Sequence, residues 1–124
     1  MVLLWVMIAG GLGSGARYLV GQWAAARLDP SFPYGTLLVN LLGCFAIGLA
    51  AQLASSTSWS PELRAAVTAG FLGGFTTYSS FNHETLLLFA DGFTGPALLN
   101  VAVTLSGGFA AGCLGFVAAR QLVA

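Results

Sequence analysis

The chain has 124 residues, of which 57% are apolar and only 6% are charged, and its formal net charge is zero. A soluble domain carries about 25% charged residues, so this composition excludes an ordinary water-exposed surface and indicates an integral membrane protein. The balanced charge gives no electrostatic basis for binding nucleic acid, and we expect no such partner.

Four apolar runs are long enough to cross a lipid bilayer, since a spanning helix needs about 20 mostly apolar residues. Little of the chain lies between these runs. We therefore predict an all-α membrane protein with a single four-span domain covering residues 1–124. The predicted spans are residues 2–23, 35–54, 61–90 and 95–122.

The first span has no basic residue before its apolar stretch, which distinguishes it from a cleaved signal peptide. Gly11 and Gly15 form a small-xxx-small pair that favours the close approach of another helix. Arg17 lies toward the end of this span. It is either an interfacial arginine that reaches the headgroups or a cation at a pore mouth that attracts anions.

The second span begins after a loop that contains Pro30 and Pro33, which separate one helix from the next. Its one strongly polar interior residue is Asn40. A buried amide is costly in hydrocarbon unless it is hydrogen-bonded, so Asn40 should face water or bond to another helix. We expect Cys44 here and Cys113 in the fourth span to be small residues at helix contacts rather than a disulfide or metal pair.

The third span begins with Ser60-Pro61-Glu62, residue types that favour a helix N-terminus. As one helix, residues 61–90 would be about 45 Å long, which exceeds a hydrocarbon core of about 30 Å. Within this span, Gly70–Phe81 contains two adjacent glycines and four serine or threonine residues, which tolerate backbone released from a helix. We therefore predict a break over residues 73–79, near the membrane midplane.

The residues around this break predict an anion pathway. Tyr78 and Phe81 are three positions apart and share one helix face. The edge of an aromatic ring is weakly positive, so it attracts an anion without holding it too tightly to release it. Simple packing of the two rings is the alternative. Stronger hydrogen-bond donors would come from Asn40, Thr77, Ser79 and Ser80.

Backbone carbonyls freed at the turn from Gly73 to Thr76 predict a cation site. Neutral oxygen ligands suit an alkali ion better than a transition metal. Two antiparallel copies of the chain would double the number of ligands. We expect a structural cation on the axis between the copies.

The fourth span carries Asn100 and Thr104 beside the pair Gly108 and Gly112, a pattern typical of either a packed or a partly wet helix. His83-Glu84 is a neighbouring acid–base pair, which only weakly indicates catalysis. The sequence has no phosphate-binding loop, serine-hydrolase elbow or histidine-rich metal motif, and we expect no enzymatic activity.

The four arginines predict the topology. With four spans both termini lie on one side of the membrane together with Arg64 and Arg120, while Arg17 and Arg27 lie on the other. The positive-inside rule then favours neither orientation. We predict that copies insert both ways and pair as an antiparallel dimer, because four short helices can hardly enclose an aqueous path alone.

Taken together, these residues resemble the small dual-topology fluoride channels of the Fluc or CrcB family. The resemblance covers almost the whole chain and rests on three blocks. The blocks are Gly13-Ser14-Gly15-Ala16-Arg17-Tyr18, then Gly35-Thr36-Leu37 followed by Asn40 and Gly43, and finally Gly70–Phe81 with Glu84.

The resemblance implies passive, selective fluoride export through two pores of an antiparallel homodimer in the bacterial inner (plasma) membrane. It also implies a central structural sodium ion held by the carbonyls of Gly73 and Thr76. The fluoride path would contain the amide of Asn40 and the aromatic rings of Tyr78 and Phe81, with Arg17 near its vestibule. The remaining residues assigned to this path are Thr77, Ser79, Ser80, Glu84 and Thr104.

Two positions depart from the family pattern. The first pore aromatic is usually Phe, and Tyr78 adds a hydroxyl. The polar track of the fourth span typically has Tyr and then Ser, where this chain has Asn100 and Thr104. Some family members are heterodimers of two diverged chains, which is the alternative to a homodimer.

Two other functions suit a protein of this kind. A small multidrug-type proton antiporter also has four spans and dual topology, but it needs an acidic residue in its first span, and residues 2–23 contain none. An accessory membrane subunit without a pore is the second alternative.

Overall fold

The computed structural model describes all 124 residues and contains helices and connecting turns without strands, which confirms the all-α prediction. A π-helical segment, Ala66–Leu72, joins the third and fourth helices. The α-helices are α1 (Val2–Arg27), α2 (Tyr34–Ser56), α3 (Pro61–Ala65), α4 (Gly73–Phe75), α5 (Tyr78–Ala90) and α6 (Thr94–Leu122).

Three of these helices, α1, α2 and α6, are long and apolar enough to cross a membrane. Only 17 of the 124 residues are buried within the chain, so most of the large apolar side chains face outward. An outward apolar surface of this extent is stable only where lipid or another protein chain covers it. The chain is therefore a multi-pass membrane protein.

The segment predicted as the third span is not one continuous helix. Ser60 caps α3, since its Oγ accepts a hydrogen bond of 3.1 Å from the N–H of Leu63, and Pro61 is the first helical residue. The π-helical turn that follows had no counterpart in the sequence prediction. Non-helical backbone is confined to Thr76 and Thr77, a narrower interruption than the predicted 73–79.

Glycine allows α1 to approach the interrupted segment closely. A Cβ at Gly13 would collide with the backbone of Phe71, and one at Gly74 would collide with the carbonyl of Gly10. Gly11 and Gly15, the pair that the sequence singled out, have nothing within 4 Å. The closest approaches of α1 to this segment are thus at Gly10 and Gly13, whereas the face of α1 that carries Gly11 and Gly15 is open.

Small residues also join α2 to α6. A Cβ at Gly48 would collide with the carbonyl of Gly112, and one at Gly115 would collide with the carbonyl of Phe45. Cys44 packs against Gly108 in the same contact, and both cysteines are free thiols. The shorter helix α5 packs against both α2 and α6.

Candidate functional site

The centre of the site is the point where Thr76 and Thr77 adopt extended backbone between α4 and α5. In an α-helix the N–H of Thr77 would donate to the carbonyl of Gly73. Here it donates to Oδ1 of Asn40 at 2.8 Å, and Nδ2 of Asn40 donates to the carbonyl of Thr77 at 3.0 Å. One amide side chain, which is only 8% exposed, therefore satisfies both backbone groups of Thr77.

The interruption removes the helical donors of four carbonyls, those of Gly73, Gly74, Phe75 and Thr76, since none of them accepts from the N–H four positions later. The carbonyl of Gly73 loses the N–H of Thr77 to Asn40, and the carbonyl of Thr76 loses the N–H of Ser80, which donates to Oγ1 of Thr77 at 3.1 Å. The carbonyl of Gly74 accepts a hydrogen bond of 2.9 Å from Nε of Arg17. The carbonyls of Gly73 and Thr76 are thus two neutral oxygen donors released from the helix.

The hydroxyls that follow the break have unequal freedom to bind a ligand. Thr77 is the N-cap of α5, and its hydroxyl donates to Oγ of Ser80 at 3.1 Å. Because Thr77 has a single hydroxyl hydrogen, Ser79 is the donor in the 3.3 Å contact between the hydroxyls of Ser79 and Thr77. The hydroxyl hydrogen of Ser80 has no acceptor within the chain and is free to bind a ligand.

A cavity of about 220 Å³ opens beside these groups and brings six polar side chains together. They belong to Arg17, Tyr18, Gln22, Thr36, Thr77 and Ser80. Arg17 uses Nε to hold the Gly74 carbonyl, and its two Nη groups make no hydrogen bond within the chain. The cavity therefore combines a positive charge with a free hydroxyl donor, an arrangement that favours a small anion.

Glu84 lies one helical turn beyond Ser80 and is bonded to α2. The hydroxyl of Thr36 donates to Oε1 of Glu84 at 2.7 Å, whereas Oε2 is buried without a partner in the chain. Thr36 and Glu84 also line a larger cavity of about 400 Å³, together with Asp29 and Asp91. Gly21, Gly35 and Thr36 line both cavities, which are therefore adjacent.

Asp29 lies in the loop at the outer end of the larger cavity. The backbone N–H of Ser31 donates to Oδ1 of Asp29 at 2.9 Å, and this bond lowers the pKa of the carboxyl group. Because its pKa is lowered, the exposed carboxyl group is ionised at neutral pH and adds negative charge to the lining of this cavity.

Tyr78 and Phe81 contact each other edge to face, with ring centroids 5.4 Å apart and an angle of 68° between the planes. Their surroundings differ. Phe81 is 5% exposed, because the chain's own helices enclose it, whereas Tyr78 is 73% exposed and its hydroxyl has no hydrogen-bond partner. Within one chain, only one of the two rings is enclosed.

Thr104 is the one predicted fluoride-path residue that lies apart from this group. It lines neither cavity, and its hydroxyl donates to Oδ1 of Asn100 at 3.3 Å. Asn100 in turn donates to the hydroxyl of Thr85 on α5 at 2.9 Å. Thr104 therefore contacts α5 only through a second side chain.

Sequence reasoning assigned no role to three residues that the structure brings to the site. The hydroxyl of Ser14 donates to the carbonyl of Gly74 at 3.5 Å, that of Thr36 donates to Glu84, and that of Thr85 donates to the carbonyl of Phe81. Thr36 is four positions before Asn40, and this helical spacing was a signal that both side chains share a face. Ser14, three positions before Arg17, and Thr85, four positions after Phe81, had a similar helical spacing to a predicted site residue.

The apolar helices and the interrupted segment, with its convergent polar groups, define a multi-pass membrane protein with a candidate anion site. The family model described as "CrcB-like protein, Camphor Resistance (CrcB)" matches residues 4–116, and the chain belongs to this family.

Relatives of known name cover nearly the whole chain. A fluoride-specific ion channel FluC of Sorangium cellulosum is 44% identical over 121 residues, which are 97% of this chain and 95% of the relative. The protein of the same name from Acidobacterium capsulatum is 44% identical over 125 residues and the full length of both chains. That of Anaeromyxobacter dehalogenans is 47% identical over 110 residues, or 88% of this chain and 87% of the relative.

Proposed function

We propose that the protein is a passive, selective channel that exports fluoride across the bacterial inner membrane and protects the cell from fluoride toxicity. The observation that carries this proposal is the Asn40 amide. It binds the N–H and the carbonyl of Thr77 where the helix is interrupted, beside the cavity lined by Arg17 and Ser80. Relatives named fluoride-specific ion channels support the choice of ion. Such a channel is not an enzyme.

Fluoride is small and strongly hydrated, so a pore must replace its water with hydrogen-bond donors that release it again. The free Nη groups of Arg17 would raise the local anion concentration at the entrance. The hydroxyl of Ser80 and the second N–H of Asn40, which Thr77 does not use, would then replace water. The positive ring edges of Phe81 and Tyr78 would attract the dehydrated ion weakly.

The remaining members of the proposed path differ in how directly they reach an ion. The hydroxyl of Ser79 is exposed, and that of Thr77 supports Ser80. Glu84 lies next to the cavity of Arg17 through its bond with Thr36, and it would donate to fluoride only when protonated, because a carboxylate oxygen accepts. Thr104 would act on the path only through Asn100.

The driving force needs no coupled energy source. Hydrogen fluoride is a weak, neutral acid that crosses lipid and ionises inside the cell. A membrane potential that is negative inside drives an anion outward by about 2.3 kcal/mol per 100 mV. A pore therefore suffices for export.

We propose that two copies with four spans each, the third interrupted near the midplane, form an antiparallel homodimer with two pores. An interrupted helix is not stable against lipid, because its backbone groups would lack partners. The exposed ring of Tyr78 and the open face at Gly11 and Gly15 are surfaces that a second copy would cover. A heterodimer with a diverged chain is the less favoured alternative.

A fusion of a positive-inside reporter to the C-terminus tests the dual topology. The equal division of arginines predicts signal from both sides of the membrane. Signal from one side alone would contradict the antiparallel arrangement.

We further propose a structural sodium ion on the dimer axis. The carbonyls of Gly73 and Thr76 fit an alkali ion, because both are neutral oxygens whose helical N–H donors bond elsewhere. When bound, the ion would balance the negative ends of these carbonyl dipoles and hold the two copies together.

The two alternative functions make different demands on the chain. A proton antiporter of the small multidrug type would need a carboxylate in α1, which has none. An accessory subunit would need no pore. Phe81→Ile separates the channel from the subunit, because the pore variant should lose fluoride flux while the dimer survives. Unchanged flux in that variant would refute the assignment of Phe81.

A further inference from the structure

A chain of three side-chain hydroxyl and amide groups connects α6 to the backbone of α5. Thr104 donates to Asn100 at 3.3 Å, Asn100 donates to Thr85 at 2.9 Å, and Thr85 donates to the carbonyl of Phe81 at 2.7 Å. Asn100 and Thr85 are almost fully enclosed, with exposed fractions of 1% and 7%. The chain ends on the backbone of the buried aromatic residue.

The direction of these bonds is fixed by their chemistry. Thr85 has one hydroxyl hydrogen, which goes to the carbonyl of Phe81, so its oxygen must accept from Asn100. The amide of Asn100 therefore points its NH₂ group toward Thr85 and its oxygen toward Thr104. Neither a leucine nor an acid at position 100 would reproduce both bonds.

Side chains bond α5 to the rest of the chain at only two places after its N-cap. One is the bond from Thr36 to Glu84, and the other is the bond from Asn100 to Thr85. On α5 the two bonded residues are Glu84 and Thr85, which lie three and four positions after Phe81 on adjoining parts of the helix surface. Two such points, on different neighbouring helices, determine how α5 is rotated about its axis.

We propose that Asn100 is a positioning residue for Phe81: through Thr85 it fixes the rotation of α5 and thereby the direction in which the Phe81 ring faces. The inference rests on the proposed function only in placing Phe81 beside the fluoride path. It assigns Asn100 to holding a helix rather than to contacting the ion, because its amide oxygen accepts from Thr104, its NH₂ group donates to Thr85 and only 1% of the residue is exposed.

The decisive variant is Asn100→Leu, which is similar in size and should fold. Thr85 keeps its bond to the Phe81 carbonyl, and Thr104 has the carbonyl of residue 100 within reach, four positions earlier on its own helix. No buried polar group is then left without a partner. The variant removes the connection between α5 and α6 alone.

Fluoride efflux from liposomes measures the effect in a double-mutant cycle. Asn100→Leu and Thr85→Val should each slow efflux about 5- to 10-fold, the scale of one lost hydrogen bond. The double variant should be no slower than either, because both remove the same connection. Thr85→Ser, which retains both bonds, should match the wild type within about 2-fold. Multiplied losses in the double variant would overturn the proposal.

Two features make the cycle robust. Ser106→Ala is the matched control on α6, because this exposed hydroxyl bonds only to the carbonyl of Ala102 on its own helix. It should leave efflux unchanged. If Asn100→Leu fails to yield a dimer, Thr85→Val compared with Thr85→Ser tests the same connection from α5, and equal rates for these two variants would refute it.

A spectroscopic measurement tests the ring position without relying on transport. A single 4-trifluoromethyl-phenylalanine at position 81 should give one narrow ¹⁹F resonance in the native dimer. The resonance should shift or broaden in Asn100→Leu and Thr85→Val but not in Ser106→Ala. An unchanged resonance in both variants would overturn the positioning role even if fluoride flows. If the wild type shows no fluoride efflux but the resonance shifts in Asn100→Leu and Thr85→Val, the channel function is refuted and the positioning role of Asn100 is supported.

Discussion

Asn40 and Thr77 are joined by two hydrogen bonds of 2.8 and 3.0 Å, in which one side-chain amide replaces the helical partners of a backbone N–H and a backbone carbonyl. The amide has a second N–H that this pairing leaves unused. Asn40 therefore stabilises the interrupted helix and still has a donor for an anion.

Asn40→Ala should affect both stability and transport. Removing the amide leaves the N–H and carbonyl of Thr77 unpaired, and each unsatisfied buried group costs about 1–3 kcal/mol. We expect a lower unfolding temperature in detergent and fluoride efflux reduced to background. Gln52→Ala is the matched control on α2, because the amide of Gln52 bonds only to the exposed Ser56. An unchanged unfolding temperature in Asn40→Ala would contradict the role of the amide in stabilising the interrupted helix.

The ring of Tyr78 should matter more than its hydroxyl, because the hydroxyl has no hydrogen-bond partner in the chain. Tyr78→Phe keeps the edge-to-face contact with Phe81 and should retain fluoride efflux within about 2-fold, whereas Tyr78→Ile should slow it about 10-fold. Efflux rates of the two variants in matched liposomes check this. Equal losses in both would show that the hydroxyl, rather than the ring edge, carries the effect.

The sequence predicted the helical class, the cap at Ser60 and an interruption in the third span from simple rules. Span length, helix-start residues and adjacent glycines are local features that one chain displays. The π-helical turn at Ala66–Leu72 could not be predicted in this way, because the helix that it packs against, α1, lies far away in the sequence. The same holds for the width of the interruption, since Asn40 determines which residues leave the helix.

The candidate site was predictable where its residues are close in sequence and unpredictable where they meet only in space. Spacing along one helix indicated that Tyr78 and Phe81 share a face. Nothing in the sequence indicated that Arg17 reaches the carbonyl of Gly74, or that Asn100 bonds to Thr85. These bonds join positions far apart in the chain, so only the folded structure reveals them.

Gly115→Ala should destabilise the packing of α2 against α6. Its new methyl group would collide with the carbonyl of Phe45, and overpacking of this kind costs about 1–3 kcal/mol. Gly95→Ala is the matched control on the same helix, because a Cβ there meets nothing within 4 Å. Thermal unfolding of the purified variants should show a lower midpoint for Gly115→Ala only. Equal midpoints for Gly115→Ala and Gly95→Ala would mean that α2 and α6 can move apart to accommodate the methyl group without loss of stability.

Removal of sodium should weaken the dimer if the carbonyls of Gly73 and Thr76 bind it. Replacing Na⁺ by the large cation N-methyl-D-glucamine should increase the monomer fraction in size-exclusion chromatography, and returning Na⁺ should reverse the change. Thr76→Ser is the control, because it keeps both the carbonyl and a hydroxyl able to bond to Leu72. It should respond to sodium as the wild type does. A dimer fraction independent of the cation would contradict the sodium site.

Fluoride efflux from liposomes that contain the purified protein is the decisive test of whether it is a fluoride channel. A fluoride electrode records the release, a potassium ionophore relieves the opposing voltage, and chloride-loaded liposomes serve as the control. A selective fluoride channel should release fluoride rapidly once the ionophore is added, with no comparable efflux of chloride. The absence of fluoride efflux from well-folded protein, or equal release of both anions, would contradict the proposed function.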